Sequence, residues 1–158
     1  AVKRAARVGD AWMLNPHATL PTLVRQLALF REERELAKLP PPHAVPCVRE
    51  IVCARNRKEA LELAGPYLTA KYQAYTQWGQ DEAMPGGDSI NQPLEELIQD
   101  RFIIGSPEDC YRQLEPYWKQ AGVNHLIFRA HWAGMPLGSA LHSMRMISDE
   151  LLPALRKI

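Results

Sequence analysis

Cysteine is scarce in this sequence of 158 residues, which holds three, at positions 47, 53 and 110. The number is odd and no two stand as C-x-x-C, so neither a disulfide framework nor a thiolate metal site is expected. Buried free thiols in a reducing cytoplasm are expected instead. An excess of one charge is missing as well: 19 Lys and Arg face 18 Asp and Glu, a net charge of +1. That balance excludes the basic footprint of a nucleic-acid-binding protein. No apolar run approaches the ~20 residues of a membrane-spanning helix. The sequence opens without a signal-peptide pattern, and no membrane partner is expected. The five histidines, at 17, 43, 125, 131 and 142, have no ligand-like spacing to cysteines or acids, so no metal is expected. There is no Ser nucleophile elbow and no G-x-G-x-x-G turn. The lack of an obvious acid–base pair directs attention to chemistry carried by a cofactor.

What is present is a strand–helix rhythm. Residues 1–8 read as the end of a helix stopped by Gly9, with no N-cap residue before it. The chain is therefore expected to begin in the middle of an element. Residues 10–14 read as a short buried strand broken at Asn15-Pro16-His17. Thr19 is placed to cap a helix running to about Leu39, with Leu20, Leu23, Leu27 and Phe30 inward and Arg31 to Glu35 on a solvated face. Residues 46–54 form the clearest strand, and Asn56 caps a helix over 57–77 that Gly65-Pro66 should bend. A third, short strand is expected at 102–105. The helix that follows has Ser106 as cap, Pro107 at its first position and a kink at Pro116. The last strand spans 124–130, and a last helix over 137–152 should bury Leu141, Met144, Ile147 and Leu151. Alternating strands and helices point to a parallel α/β sheet. The chain reads as a single domain over 1–158, with a Gly- and Pro-rich loop inserted at 79–101. A loop of that length is either a substrate lid or a floppy insertion.

Five stretches together resemble the C-terminal half of luciferase-like flavin-dependent monooxygenases and oxidoreductases. They are AVKRAARVGDAW at 1–12, VREIVCARNRKEALELAGPYL at 48–68, F-x-x-GSPED at 102–109, AGVNHLIFRAHWAGMP at 121–136 and MRMISDELLPAL at 144–155. The resemblance implies a (β/α)8 TIM barrel, a fold of typically ~250 residues. This chain would supply the part after the fifth strand, so the barrel is incomplete. It also implies reduced FMN with O2, or a deazaflavin, acting on an organic small-molecule substrate, with most flavin contacts in the other half. The chain alone need not be active. An alternative is a non-catalytic half-barrel that acts by self-assembly, as a homo-oligomer, or by complementing a separate N-terminal half. Such a piece leaves two open sheet edges and an uncovered apolar inner face.

Barrel active sites lie at the carboxyl ends of the strands, which selects Asn15 and His17 after the first strand, and Arg129, His131 and Trp132 at the end of the last. These five are the candidate cofactor- or substrate-binding residues. Arg129 suits a carboxylate or phosphate, and Trp132 offers a flat wall. Asn15 has a rival role capping a turn, and His17 that of an ordinary surface residue. Within the strand, Arg49 and Glu50 point to opposite faces. Whichever is buried is expected to sit in an internal ion pair. Helix capping explains the Gly105-Ser106 turn as well as anion binding would.

Overall fold

The β-branched and apolar run at Pro46–Cys53 forms the central strand of a three-stranded parallel sheet in the computed structural model, which describes residues 1–84 and 88–157. This strand, β1, is flanked by β2 (Phe102–Gly105) and β3 (His125–Arg129), in the order β2-β1-β3. The helices are α1 (Val2–Val8), α2 (Leu20–Leu36), α3 (Arg57–Gln77), α4 (Leu94–Leu97), α5 (Pro107–Ala121) and α6 (Leu137–Met146). A π-helical turn at Ile147–Leu151 then leads into α7 (Leu152–Leu155).

The strand order fixes the layers. From β1 the chain crosses through α3 to β2 on one side, then returns through α5 to β3 on the other. Right-handed crossovers running in opposite directions place their helices on opposite faces. Accordingly Val52 and Ala54 pack with Ala60, Ala64, Leu68 and Tyr72 of α3. Cys47, Ile51 and Cys53 pack with Leu23 and Leu27 of α2 and Cys110 and Leu114 of α5. Residues 49–54 are all fully buried. The inner face expected to be uncovered in a half-barrel is closed by α3 over residues 49–54, whereas Pro46 and Val48 at the start of β1 stay only half-buried.

The strand expected at 10–14 contracts to a single parallel bridge, Leu14 to Cys47. Leu14 donates its N–H to the Pro46 carbonyl and accepts from Val48 N–H. Because β3 pairs with the same stretch of β1, Leu14 must lie on the opposite edge. That is also the edge of β2, which pairs farther along at Glu50–Cys53. Leu14, β1 and β3 thus follow one another in chain order, and β2 extends the line of Leu14.

Local signals act as expected at several ends. The Asn56 side chain accepts from Glu59 N–H at 2.9 Å. Ser106 and Asp109 form a reciprocal capping box, and Gly122 ends α5 in the left-handed region. Helices α3 and α5 run unbroken through Pro66 and Pro116. Other expectations are corrected. The Thr19 hydroxyl does not cap α2 but donates to Asp88. Within the supposed solvated face of α2, Glu33 and Arg34 are buried. Helix α1 packs there, so Glu33 binds Lys3 and Arg7, and Arg34 binds the Ala6 and Gly9 carbonyls. Leu141 and Met144 face outward, whereas Ile147 and Leu151 are buried. The last helix passes through the π turn and takes Pro153 into α7 instead of ending there.

Part of the 79–101 loop, residues 85–87, lies outside the described residues. The remainder is anchored. Asp88 accepts from Thr19 N–H and hydroxyl, both at 2.9 Å. Asp81 accepts from Ser89 and Ile90. Buried Arg101 donates to the carbonyls of His17, Ser89 and Leu97.

Candidate functional site

Glu50 sits in the middle of β1 and is fully buried. The parallel register sets Arg129, the last residue of β3, directly across from it, and paired residues project their side chains to the same face. Arg129 Nη1 donates to Glu50 Oε1 at 3.3 Å, and Trp132 Nε1 donates to Oε2 at 3.2 Å. Lys71 of α3 completes the network with an ion pair to Oε1. One buried carboxylate thus orients two cations and an indole. Its burial is supportable because both oxygens are occupied and the charge is neutralised.

Above this network a cleft of about 570 Å³ opens between α3 and the loop after β3. Tyr67, Lys71, Tyr75 and Trp78 line one wall, at the i, i+4, i+8, i+11 spacing of a single helix face. Arg129, His131 and Trp132 line the other. Burial, and then repulsion from Arg129, pulls the Lys71 ammonium down to about 7, while the adjacent Glu50 carboxylate opposes this by favouring the charged form. Two cations against one carboxylate leave an excess of positive charge at the cleft floor. The side chain of Arg129, 44% exposed, is the member that faces solvent.

Of the five sequence candidates, the structure brings Arg129, His131 and Trp132 together. His131 is exposed, and its Nε2 lies 2.9 Å from the Met135 carbonyl, a distance at which Nε2–H donates and Nδ1 is left as the acceptor. His17 stands behind the cleft wall. Its ring meets Tyr75 edge-on at 5.3 Å, and Nδ1 is 3.0 Å from the Tyr72 hydroxyl. Burial, together with Lys71, Arg129, Arg49 and Arg101, lowers the His17 pKa to about 4. It is therefore not an ordinary surface histidine. Asn15 is not in the cleft, and its Oδ1 accepts from His17 and Ala18 N–H as a turn cap.

Two buried arginines clamp that turn. Arg49 donates to the carbonyls of Asn15 and Ala18, and Arg101 to that of His17. The guanidinium of Arg49 also stacks over Tyr117 at 4.6 Å. Arg49 and Glu50 are both buried, and the expectation that only one would be is corrected because both faces of β1 are covered. Arg49 is held by carbonyls and an aromatic ring, not by an ion pair.

Sequence reasoning missed Lys71 and the partners of Glu50. The aromatic spacing of α3 was the available signal, because Lys71 lies on the stripe of Tyr67, Tyr75 and Trp78. No described residue of the 79–101 loop lines this cleft. Residues 90–94 instead border a second one, of about 590 Å³, whose lining carries amides and hydroxyls but no charged side chain. Among the described residues no cluster of potential metal ligands is present, and no helix is long and apolar enough to cross a membrane.

The fold is shared with several monooxygenases and a reductase of known structure. The monooxygenase RslO1 from Streptomyces bottropensis superposes with a TM-score of 0.76 at 17% identity, covering 98% of this chain and 44% of RslO1. The oxygenating constituent of 3,6-diketocamphane monooxygenase from the CAM plasmid of Pseudomonas putida, in complex with FMN, gives 0.67 at 19% identity, covering 96% of this chain and 44% of that one. The coenzyme F420-dependent tetrahydromethanopterin reductase from Methanopyrus kandleri gives 0.61 at 16% identity, covering 97% and 47%. This chain therefore spans less than half the length of these structures. No curated protein matches it in sequence. The model of the luciferase-like monooxygenases matches residues 1–125, and the chain belongs to that family.

Proposed function

We propose that this chain forms the C-terminal part of a (β/α)8 flavin-dependent oxidoreductase, and that the cleft over Glu50 is a wall of its cofactor or substrate space. Support for the barrel comes from the chain-order succession Leu14, β1, β3, the succession that neighbouring strands follow in such a barrel. The observation that carries the site is the Glu50 network, which holds Arg129, Lys71 and Trp132 together at the carboxyl end of β3.

The residues present fit a flavin-type group. A planar ring suits the walls of Tyr67, Tyr75 and Trp132, and the excess positive charge suits an anionic reduced ring or a phosphate. Reduced FMN with O2, or a deazaflavin, is the cofactor expected from the family. It would supply the electrons, or the hydride, for turning over an organic small molecule. The chain's own residues bind and orient. Arg129 anchors an anionic group, Glu50 holds the Trp132 indole edge, and the α3 aromatics keep water from one side of the cleft. His131 Nδ1 is an acceptor available at the rim, and the Asn15–His17 turn supports Tyr75 from behind.

Titrating the chain with FMN, and separately with a deazaflavin, while following flavin fluorescence tests this reading. Saturable quenching at micromolar concentration is expected, weakened about tenfold or more in Arg129→Met, as for loss of a charge-assisted contact. Binding unchanged in Arg129→Met would remove the cleft from the site. No binding either by this chain or by a longer protein that includes it would overturn the flavin reading.

A second reading, assembly without catalysis, is favoured by β3. Its outer edge has no strand partner among the described residues, and its end residues are exposed. A homo-oligomer or a separate N-terminal half would cover that edge. Light scattering tests it, and a monodisperse monomer over a wide concentration range counts against it.

A further inference from the structure

Cys53 is the last residue of β1, and its register partner on β2 is Gly105. Cys110 lies in the first turn of α5, the helix that starts just after Gly105. The Cys110 Sγ reaches back over the seam between the two strands, 3.7 Å from the Gly105 carbonyl oxygen and 3.9 Å from that of Val52. Alternation along β1 sends the Cys53 side chain to the face that packs on α5, and both cysteines belong to the same core cluster. The two thiols therefore lie on one face above the same seam, in a space closed to solvent. The Cys110 S–H points to those two carbonyls, and the interaction between the two thiols pulls Cys53 below its ordinary value and pushes Cys110 well above it. Cys47 is the contrast. It shares their face of β1, but six residues of extended chain separate it from Cys53, about 20 Å at 3.3 Å per residue. A disulfide bridges Cα atoms no more than ~7 Å apart, so Cys47 is out of reach.

We infer that Cys53 and Cys110 are an oxidative modification site that closes to an intramolecular disulfide on exposure to hydrogen peroxide, tying the end of β1 to the start of α5. The Cys53 thiolate attacks one peroxide oxygen. The O–O bond breaks, one water leaves once protonated, and Cys53 becomes a sulfenic acid. The Cys110 sulfur then forms the S–S bond and displaces the hydroxyl as a second water. The two sulfurs together lose two electrons and the peroxide gains them, so two thiols and one peroxide give one disulfide and two waters. This inference stands apart from the flavin reading, since it needs only the two thiols and a peroxide.

The sequence makes the test direct, because trypsin leaves the three cysteines in separate peptides, 39–49, 50–55 and 102–112. The chain is treated with hydrogen peroxide in its folded state, alkylated after denaturation and weighed intact and after digestion. Expected are a mass loss of two hydrogens, one alkylated thiol per chain located in 39–49, and a 50–55/102–112 cross-linked peptide that dithiothreitol dissolves. Three free thiols after peroxide, or a cross-link or oxygen adduct that involves Cys47 to the same extent, would overturn it. Cys53→Ser is expected to abolish the mass loss while Cys110 stays alkylatable. The wild-type peptide map decides the question even if that variant folds poorly.

Discussion

Removing the Glu50 carboxylate would leave Lys71 and Arg129 facing each other without a counter-charge, inside a wall where Lys71 is already largely desolvated. Breaking a buried pair from one side is costly because the surviving charge stays buried. Glu50→Gln should therefore lower the unfolding free energy by about 3–5 kcal/mol in a urea titration. Combining Glu50→Leu with Lys71→Met removes both charges, and the double variant should recover much of that loss. If the two effects simply add, the pair is not coupled. His17 gives a pH signature of its own. Its folded pKa of about 4 lies below the ordinary 6.5, so between those values the unfolded chain binds more protons. Stability should then fall as pH drops from 6.5 to 4, with no further contribution from this residue below 4. In His17→Gln, unfolding curves recorded across that window should show a shallower fall than in the wild type. Candidates at this scale were legible in part. Arg129 and Trp132 could be found from their place at a strand end. Lys71 could be placed on the cleft wall by the aromatic stripe of α3, but its ion pair could not be read, because its partner lies 21 residues away on another element.

At the scale of elements, the turn from β2 into α5 is the most tightly specified junction. Gly105 has φ +153°, and a Cβ there would come within 2.5 Å of the Asp109 Cβ. The same Asp109 carboxylate accepts from Ser106 N–H and hydroxyl in the capping box. Gly105→Ala thus forces apart the group that caps the helix. It should cost about 1–3 kcal/mol through backbone strain alone, and more through the displaced cap. Ser106→Ala loses only its half of the box, about 1 kcal/mol. Thermal melts of the two variants should rank in that order, and a Gly105→Ala variant as stable as Ser106→Ala would contradict the crowding. The cap itself was readable from Ser-Pro-Glu-Asp, as were β2, α3 and the limits of β1, because each depends on residues close in sequence. The strand at 10–14 was over-read. Its apolar residues are right for a buried strand, but only Leu14 meets the β1 backbone. The burial of Glu33 and Arg34 was hidden for a related reason: a charge run looks solvated until a second helix is laid on it.

The arrangement of the whole molecule depends on which strand lies beside which, and no local pattern encodes that. Alternation of strands and helices correctly indicated a parallel α/β sheet, but the placement of β2 and β3 on opposite edges of β1 became visible only in three dimensions. That placement protects both faces of β1 over residues 49–54 and leaves β3 as the weak point. One edge of β3 has no strand partner among the described residues, and nearby α6 exposes Leu137, Leu141 and Met144 along one stripe. Unpaired strand edges and grouped apolar side chains both favour association. The chain should therefore show a mass that rises with concentration above its monomer value of 17.9 kDa when followed by light scattering on a sizing column. The two surfaces can be separated. Leu141→Glu with Met144→Glu charges the α6 stripe and leaves the β3 backbone untouched. If α6 mediates association, this variant should remain monomeric. If the β3 edge does, it should associate as the wild type does, and charging the strand by Ile127→Lys, at a half-buried position that packs in neither core cluster, should then suppress association. A mass fixed at the monomer value at every concentration would mean that neither surface drives self-association, and that β3 tolerates its open edge because the strand is short.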